Sequence, residues 1–173
     1  MASMRRNIVV SALFVCFGGP AIALVYVPLW LTRFRVPPDE PAWQMLLAAL
    51  LIVIGLMPAL ESMRRFVVVG RGTLFPAVPT EHLVVSGFYR YVRNPMYVGI
   101  LLALGGESLL FRSRSLAEFA CWLWIGFHLF VLGYEEQTLN RRYGEEYLRY
   151  WRNVPRWIPR ITPWQQNAGG NAL

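Results

Sequence analysis

The composition sets this chain apart from water-soluble proteins. It has 173 residues, 55% of them hydrophobic and only 16% charged, whereas ordinary soluble domains carry about 25% charged residues. With a mean hydropathy of +0.37, these values exclude a water-soluble globule, and the length excludes a multidomain enzyme. The expected fold class is an all-α membrane protein.

Four apolar segments, in chain order, are long enough to cross a membrane. They cover residues 8–31, 42–60, 95–111 and 116–134, and a helix needs about 20 apolar residues to span the hydrocarbon core. Arg5 and Arg6 before the first segment also fit a secretory signal, but the apolar run continues past Ala23, beyond an ordinary signal peptide. We therefore predict four transmembrane helices.

The basic residues indicate how these helices are oriented. All 17 are Arg, and the net charge is +7. With the N-terminus in the cytoplasm, only Arg33, Arg35, Arg112 and Arg114 fall outside, so both termini are predicted to be cytoplasmic by the positive-inside rule. A charge explained by topology gives no reason to expect nucleic acid as a partner. We expect a multi-pass protein, typical of a bacterial inner membrane.

The connections between the predicted spans are unequal. Only residues 112–115 join the third and fourth spans, which predicts a tight hairpin, whereas residues 61–94 and the tail after residue 134 are long and cytoplasmic. Function tends to reside in such segments on a rigid scaffold, so the site is expected there. We predict one domain over residues 1–163, a helical cytoplasmic tail within it, and a disordered end over residues 164–173, which is rich in Asn, Gly and Ala.

The start of the third span has the features of an anion site. Asn94 and Pro95 are typical of a helix N-cap and first turn, and Arg90 and Arg93 precede them. Free N–H groups, the helix dipole and two guanidinium groups together suit a carboxylate or phosphate. The alternative is that the Arg residues are positive-inside anchors and the nearby tyrosines an aromatic belt.

Glu135 and Glu136 are the second candidate feature. They follow the fourth span, where the helix dipole disfavours a carboxylate, and neither has a cation three or four residues further along the helix. A cationic ligand, ribose hydroxyls, or Arg93 from the neighbouring helix could each satisfy them.

His128 lies nearly two helical turns before Glu135, on the same face. A histidine within a span usually lines a cavity or the bundle interior, which makes it a candidate base or a packing residue. Neither Cys16 nor Cys121 has metal-ligand or redox spacing, and no metal site is predicted.

Two strings resemble a known family. They are the segment from Ser86 to Gly99, which contains Arg93-Asn-Pro-Met-Tyr97, and the later pair Glu135-Glu136 followed by Tyr143, Tyr147 and Val154-Pro-Arg156. Both are similar to the isoprenylcysteine carboxyl methyltransferase and phospholipid methyltransferase superfamily, over roughly residues 76–159. The resemblance implies an integral membrane enzyme that transfers a methyl group from S-adenosylmethionine to a lipid or lipidated acceptor at the cytoplasmic face.

The resemblance also implies roles for particular residues. Many members have His where this chain has Asn94, and the asparagine retains a hydrogen bond but not a titrating role. His128 and Glu135 are the candidate catalytic groups, needed if the acceptor is an amine or hydroxyl rather than a carboxylate. The expected cofactor-binding residues are Tyr89, Arg90, Arg93, Asn94, Pro95, Tyr97, Glu135, Glu136, Tyr143 and Tyr147.

Two alternatives stay open. Some sterol reductases, which use NADPH, resemble this membrane fold in their C-terminal part, although a dinucleotide phosphate calls for more Arg at one site. The chain could also be a membrane scaffold in which the Arg and Glu motifs only tie the hairpin to the tail. The partners expected for the methyltransferase are membrane lipids and a lipid or lipidated acceptor, with the oligomeric state and the acceptor itself left open.

Overall fold

A computed structural model describes residues 18–68 and 82–165, together with Val9, Val10 and Leu13. Within this part of the chain no residue lies in a β-strand, so the expectation of an all-α protein is confirmed there. Within residues 18–68 and 82–165 five long helices follow one another: α1 (Gly19–Thr32), α2 (Ala42–Val68), α3 (Pro95–Leu110), α4 (Arg114–Tyr143) and α5 (Glu145–Asn153).

Two of these helices are long and apolar enough to cross a membrane. They are the stretch Ala42–Arg65 of α2 and the whole of α4, while α1 and α3 are shorter apolar helices. Both long helices exceed the predicted spans, since α2 continues beyond residue 60 and α4 beyond residue 134. The first half of the predicted first span lies largely outside the described residues. The two long apolar helices support a membrane protein.

Helices α2 and α3 pack through small residues. A Cβ added to Gly99 would lie 2.8 Å from the backbone nitrogen of Ala59, and one added to Gly55 would lie 2.6 Å from that of Ala103. Small residues four apart let two apolar helices approach at backbone distance and gain van der Waals contact. We call this contact the glycine seam, formed by Ala48, Gly55, Ala59, Gly99, Ala103 and Gly106.

The short turn between α3 and α4 is held by polar contacts. The Ser113 hydroxyl accepts a hydrogen bond from the Leu116 backbone N–H at 3.2 Å and so caps α4. Arg112 has a positive φ of 46°, and its Nε lies 3.2 Å from a carboxylate oxygen of Glu40, which precedes α2. This end of the molecule therefore ties three helices together.

Helix α4 contains one π-helical turn, Val131–Glu135, immediately before Glu136. A π-turn accommodates one extra residue in the helix and is often found at functional sites. Helix α4 then ends at Gly144, whose φ of 51° suits glycine, and α5 begins at the next residue.

After α5 the chain runs along the segment that precedes α3. Backbone N–H groups of Arg160 and Trp164 donate to the carbonyl oxygens of Tyr91 and Arg90, each at 2.9 Å. These hydrogen bonds hold Trp164, the first residue of the predicted disordered end, against the loop. Residues 166–173 lie outside the described part of the chain.

Candidate cofactor site

Three side chains meet at the carboxylate of Glu136. Arg93 Nη1 donates to Glu136 Oε1 at 2.7 Å, and Arg156 donates through Nε and Nη2 to the two oxygens at 2.7 and 2.9 Å. Trp151 Nε1 lies 3.3 Å from Oε2, and the Arg93 guanidinium lies 5.3 Å from the centre of the Trp151 ring. We call Glu136, Arg93, Arg156 and Trp151 the glutamate cage.

The cage satisfies Glu136 from within the protein. Of the three partners that the sequence left open, the structure realises Arg93, and it adds Arg156. The side chains of Arg93 and Glu136 are only 9% and 14% exposed, so their charges are largely removed from water and depend on each other. A carboxylate has about four acceptor positions, and these four hydrogen bonds account for them.

The backbone explains why Arg93 and Arg156 converge. The N–H of Arg93 donates to the carbonyl of Pro155 at 2.8 Å, and Asn94 Nδ2 donates to the carbonyl of Arg156 at 3.1 Å. Asn94 is the N-cap residue of α3, as predicted, but its side chain forms no capping bond, because the hydrogen bond from Nδ2 directs the amide towards the tail. Pro95 does occupy the first turn of α3, as predicted.

Glu135 has a different environment from its neighbour. Tyr97 donates its hydroxyl hydrogen to Glu135 Oε2 at 3.1 Å, and the Tyr97 ring stacks on Phe127 with 4.4 Å between centroids. No ion pair of Glu135 occurs among the described residues. Two adjacent carboxylates thus differ: one is saturated by cations and the other is held by a single phenol.

A small cavity of about 40 Å³ lies between the two glutamates and the loop before α3. Arg93 Nε is buried beside it and has no hydrogen-bond partner among residues 18–68 and 82–165. An unsatisfied buried donor on a charged group is costly and calls for an acceptor. The cavity is lined by Leu83, Val84, Tyr89, Arg93, Asn94, Val131, Glu135, Glu136, Leu139, Tyr147 and Tyr150.

Three tyrosines line the cavity, Tyr89 from the turn before α3 and Tyr147 and Tyr150 from α5. Burial raises the pKa of Tyr147 to about 12 and raises the pKa of both Tyr89 and Tyr150 well above the usual value. All three phenols therefore keep their protons at physiological pH and can act as donors. Tyr150 uses its hydroxyl to donate to the carbonyl of Tyr89 at 2.8 Å.

Four predicted cofactor residues lie outside the wall of the cavity, and one of them is Tyr97, whose bond to Glu135 is described above. Arg90 Nε donates to the carbonyl of Trp164 at 2.7 Å, so its guanidinium belongs to the contact between loop and tail. Pro95 is buried and contributes the start of α3. Tyr143 packs against the buried cluster of Tyr147 and other tail residues.

His128 lies outside the cavity, on α4, and contacts the tail. Its Nδ1 accepts a hydrogen bond from Trp157 Nε1 at 3.0 Å, and its ring stacks on Trp124 at 5.5 Å. The cavity lining does not include His128. Its role as a base stays a prediction, and its observed contact is structural.

Sequence reasoning missed two members of the cage, Trp151 and Arg156. Arg156 stood in the Val-Pro-Arg string that carried the resemblance, but it was counted only as one of many cytoplasmic Arg residues. The position of Arg156 after the buried Val154, at the end of a conspicuous motif, was the available signal. Trp151 gave no such signal in the sequence, because an exposed tryptophan near a membrane surface is common.

Comparison with known proteins places this site in a family. Residues 43–146 match the model of the phospholipid methyltransferase family, which includes α3 and both glutamates but ends before Trp151 and Arg156. The chain is 27% identical over 165 residues to protein-S-isoprenylcysteine O-methyltransferase A of Arabidopsis thaliana, covering 90% of this chain and 81% of that protein.

Two further relatives carry the same description. The chain is 40% identical over 83 residues to protein-S-isoprenylcysteine O-methyltransferase of Schizosaccharomyces pombe, covering 47% of this chain and 35% of the relative. With the human protein of that name it shares 30% over 126 residues, 69% of this chain and 42% of the relative. Since the family match extends over more than half of its length, the chain belongs to the phospholipid methyltransferase family and is a methyltransferase, with apolar helices typical of a membrane protein.

Proposed function

We propose that the chain is an S-adenosylmethionine-dependent methyltransferase that acts on a lipid or lipidated acceptor at the cytoplasmic face of a membrane. The observation that carries this proposal is the pairing of two complementary groups on one cavity. Arg93 offers a buried Nε–H without a partner among the described residues, and Glu135 offers a carboxylate with a single hydrogen bond. An amino acid end, with one carboxylate and one ammonium, matches both groups.

The size of the cavity limits what it can hold. Small-molecule sites usually enclose about 300–1,000 Å³, whereas this cavity has about 40 Å³, room for the amino acid end at most. A second hollow of about 250 Å³ lies on the other side of Glu136, with Gln137, Asn140 and Trp151 in its wall. Amides and an indole suit the edge and face of an adenine, so we assign the nucleoside to this hollow.

The two glutamates then have separate roles. Glu136 is saturated by Arg93, Arg156 and Trp151, so its part is to hold the two guanidinium groups in position. Glu135 has acceptor capacity left and is the carboxylate that would contact the cofactor ammonium. Glu135, which is hydrogen-bonded to Tyr97, is therefore assigned to contact the cofactor, and Glu136 is assigned to support the site.

When bound, S-adenosylmethionine supplies a methyl group on a positively charged sulfur. The contribution of the protein is to align the two reactants and to exclude water, which can provide much of the rate enhancement of an in-line displacement. A carboxylate acceptor needs no base, because the transfer turns the carboxylate into a neutral ester and the sulfonium into a neutral thioether. An amine or hydroxyl acceptor needs one, and Glu135 and His128 are the candidates.

The relatives favour a lipidated carboxylate as the acceptor, because their names specify protein S-isoprenylcysteine and O-methylation. The orientation proposed from the Arg distribution, with both termini in the cytoplasm, puts the cage and tail on the cytoplasmic side. An acceptor with an apolar chain would reach the site from the bilayer.

The test is titration calorimetry of the detergent-purified protein with S-adenosylhomocysteine, with NADPH in a parallel titration. Saturable binding of S-adenosylhomocysteine alone is expected. Binding of NADPH alone would replace the proposal with a reductase, and binding of neither by a folded sample would favour a scaffold.

The division between the glutamates is tested with three variants. Glu135→Gln is expected to weaken binding of S-adenosylhomocysteine at least tenfold with little change in melting temperature, because a hydrogen bond to a charged group is lost only in the complex. Glu136→Gln is expected to lower both binding and melting temperature. Glu145→Gln, on the exposed side of α5, is the control and should change neither.

A further inference from the structure

A third and larger hollow lies against the loop that carries Arg93. It measures about 610 Å³ and runs between the adjoining halves of α2 and α3, with the turn Gly87–Arg90 at one end. We call it the α2–α3 groove. Its wall is formed by Ile54, Met57, Pro58, Glu61, Gly87, Phe88, Arg90, Tyr91, Val92, Pro95, Val98, Leu102 and Pro159.

The groove is apolar along its length and polar at one end. Ile54, Met57, Val98 and Leu102 supply aliphatic walls, and the charged residues among the lining described by the structure are Glu61 and Arg90. Several lining residues stand open, Met57 being 59% exposed. A long apolar wall with a charged end suits an amphiphile, with its chain between the helices and its head at the loop.

Glu61 is poised to receive a hydrogen-bond donor. One of its oxygens pairs with Arg65, while Oε2 is buried and has no hydrogen-bond partner among the described residues. A buried carboxylate oxygen without a donor is costly, which points to a group that the groove receives from outside. The pair lies directly against Gly87, where a Cβ would collide with both side chains, so the loop fixes its position.

Arg90 completes the polar end with the opposite charge. Its contact with the Trp164 carbonyl uses one of the five N–H donors of a guanidinium, and it orients the group at the groove. The head that fits this end carries an N–H or O–H donor for Glu61 beside an anionic group for Arg90.

The groove and the cofactor cavity share one wall. Tyr89, Arg93 and Asn94 line the cavity, whereas Arg90 and Val92 line the groove. Neighbouring residues of a single loop thus face the two spaces. A head bound at Glu61 and Arg90 therefore lies beside the loop residues that line the proposed cofactor site.

We propose that the α2–α3 groove binds the apolar chain of the methyl acceptor, and that Glu61 determines specificity by accepting a hydrogen bond from an N–H next to the acceptor's carboxylate. This inference rests on the proposed function. Under this proposal Glu61 discriminates between head groups, and the groove discriminates between apolar chains.

Two synthetic acceptors test the part played by Glu61. N-acetyl-S-farnesylcysteine has an amide N–H beside its carboxylate, and S-farnesyl-3-thiopropionate has the same chain and carboxylate without the N–H. We expect the wild type to prefer the first about tenfold in kcat/KM, the size of one hydrogen bond to a charged group, and Glu61→Ala to lose this preference. A variant that keeps the full preference would overturn the proposal, as would a wild type without one.

If Glu61→Ala fails to fold, Glu61→Gln replaces it, since the amide keeps the shape but weakens the acceptor. Its preference is expected to fall at least threefold. Binding of S-adenosylhomocysteine, measured by calorimetry, should be unchanged in either folded variant. This separates the two ideas: a wild type that binds no cofactor contradicts the proposed function, whereas normal cofactor binding with unaltered acceptor preference contradicts only the role of Glu61.

The groove itself is tested with two matched substitutions on α2. Met57 lines the groove and Leu60 does not, yet they are almost equally exposed, at 59% and 57%. Met57→Trp fills the groove and is expected to raise the KM for N-acetyl-S-farnesylcysteine at least fivefold with unchanged cofactor affinity. Leu60→Trp should leave both constants unchanged, and equal effects of the two substitutions would refute binding in the groove.

Discussion

The glycine seam and the glutamate cage hold this protein together by opposite means. The seam joins two helices through small residues such as Gly55 and Gly99, where the backbones themselves are in contact. The cage joins the loop before α3, the end of α4, helix α5 and the tail through charged hydrogen bonds around Glu136. Adding a side-chain atom to the seam should therefore destabilise the protein, because the seam depends on shape. Removing a charged partner from the cage should destabilise it as well, because the cage depends on charge.

The largest effect is expected from adding volume to the seam. In Gly99→Val the Cβ would meet Gly55 O and the Ala59 backbone, neither of which can move aside, and overpacking should cost about 3 kcal/mol. Thermal unfolding in detergent measures this loss. The control is Gly105→Ala on the same helix, where a Cβ meets nothing within 4 Å; it should be neutral or slightly stabilising. Equal losses of stability in the two variants would show that the close packing of the seam is not what stabilises the protein.

Removing the charge at the centre of the cage should come next. Glu136→Gln leaves the guanidinium groups of Arg93 and Arg156 facing each other without a carboxylate. We expect a loss of about 2 kcal/mol, below the 3–5 kcal/mol of a fully buried pair because Glu136 keeps 14% exposure. Chemical denaturation of the variant beside Glu145→Gln gives the difference. A stability equal to that of the control would mean that the cage does not hold the tail.

A smaller loss is expected when the charge is kept but its geometry is changed. Arg156→Lys preserves a cation but replaces two directed hydrogen bonds to Glu136 with a single ammonium contact. The expected cost is about 1 kcal/mol. If the lysine variant unfolded at the same denaturant concentration as the wild type, charge alone would account for the contact.

The smallest effect is expected at the edge of the cage region, where the tail meets α4. Trp157→Phe removes the N–H that His128 Nδ1 accepts and should cost about 0.5–1 kcal/mol. Trp122→Phe, at a side chain that is 71% exposed, is the control for the change of ring. A larger loss in the control would show that lipid-facing aromatic residues matter more than this hydrogen bond.

The two regions also differ in how far the sequence predicts them. The helices that form the seam are visible as apolar runs, because burial in lipid imposes a composition on every turn. The extension of α4 beyond Tyr134 was not visible, since two glutamates usually end an apolar helix. They continue it here because Arg93 and Arg156 neutralise Glu136 from other segments, and a sequence gives no distances between segments.

Within the site, local motifs were predictable and distant partners were not. Arg93, Asn94 and the two glutamates were recognised because each occurs in a short string with a chemical rationale. Arg156 looked like any other arginine predicted to be cytoplasmic, because a positive-inside anchor and a cage residue are the same amino acid and differ only in what they contact. The hydrogen bond from the Asn94 amide to the carbonyl of Arg156 was not predictable, because that carbonyl is 62 residues away in the chain.

The π-helical turn Val131–Glu135 decides how the site responds to a change in chain length. An α-helix rotates by about 100° and rises 1.5 Å for each residue, and the wider π-turn takes up one extra residue within a single turn. Deleting Gly133, whose surroundings are open, would therefore restore a regular helix with both glutamates pointing nearly as before. Deleting Gly126 from the regular part of α4, where the surroundings are also open, would instead turn Glu135 away from Tyr97 and Glu136 away from Arg93. Relatives that lack one residue in the π-turn can thus present the same side chains in the same direction.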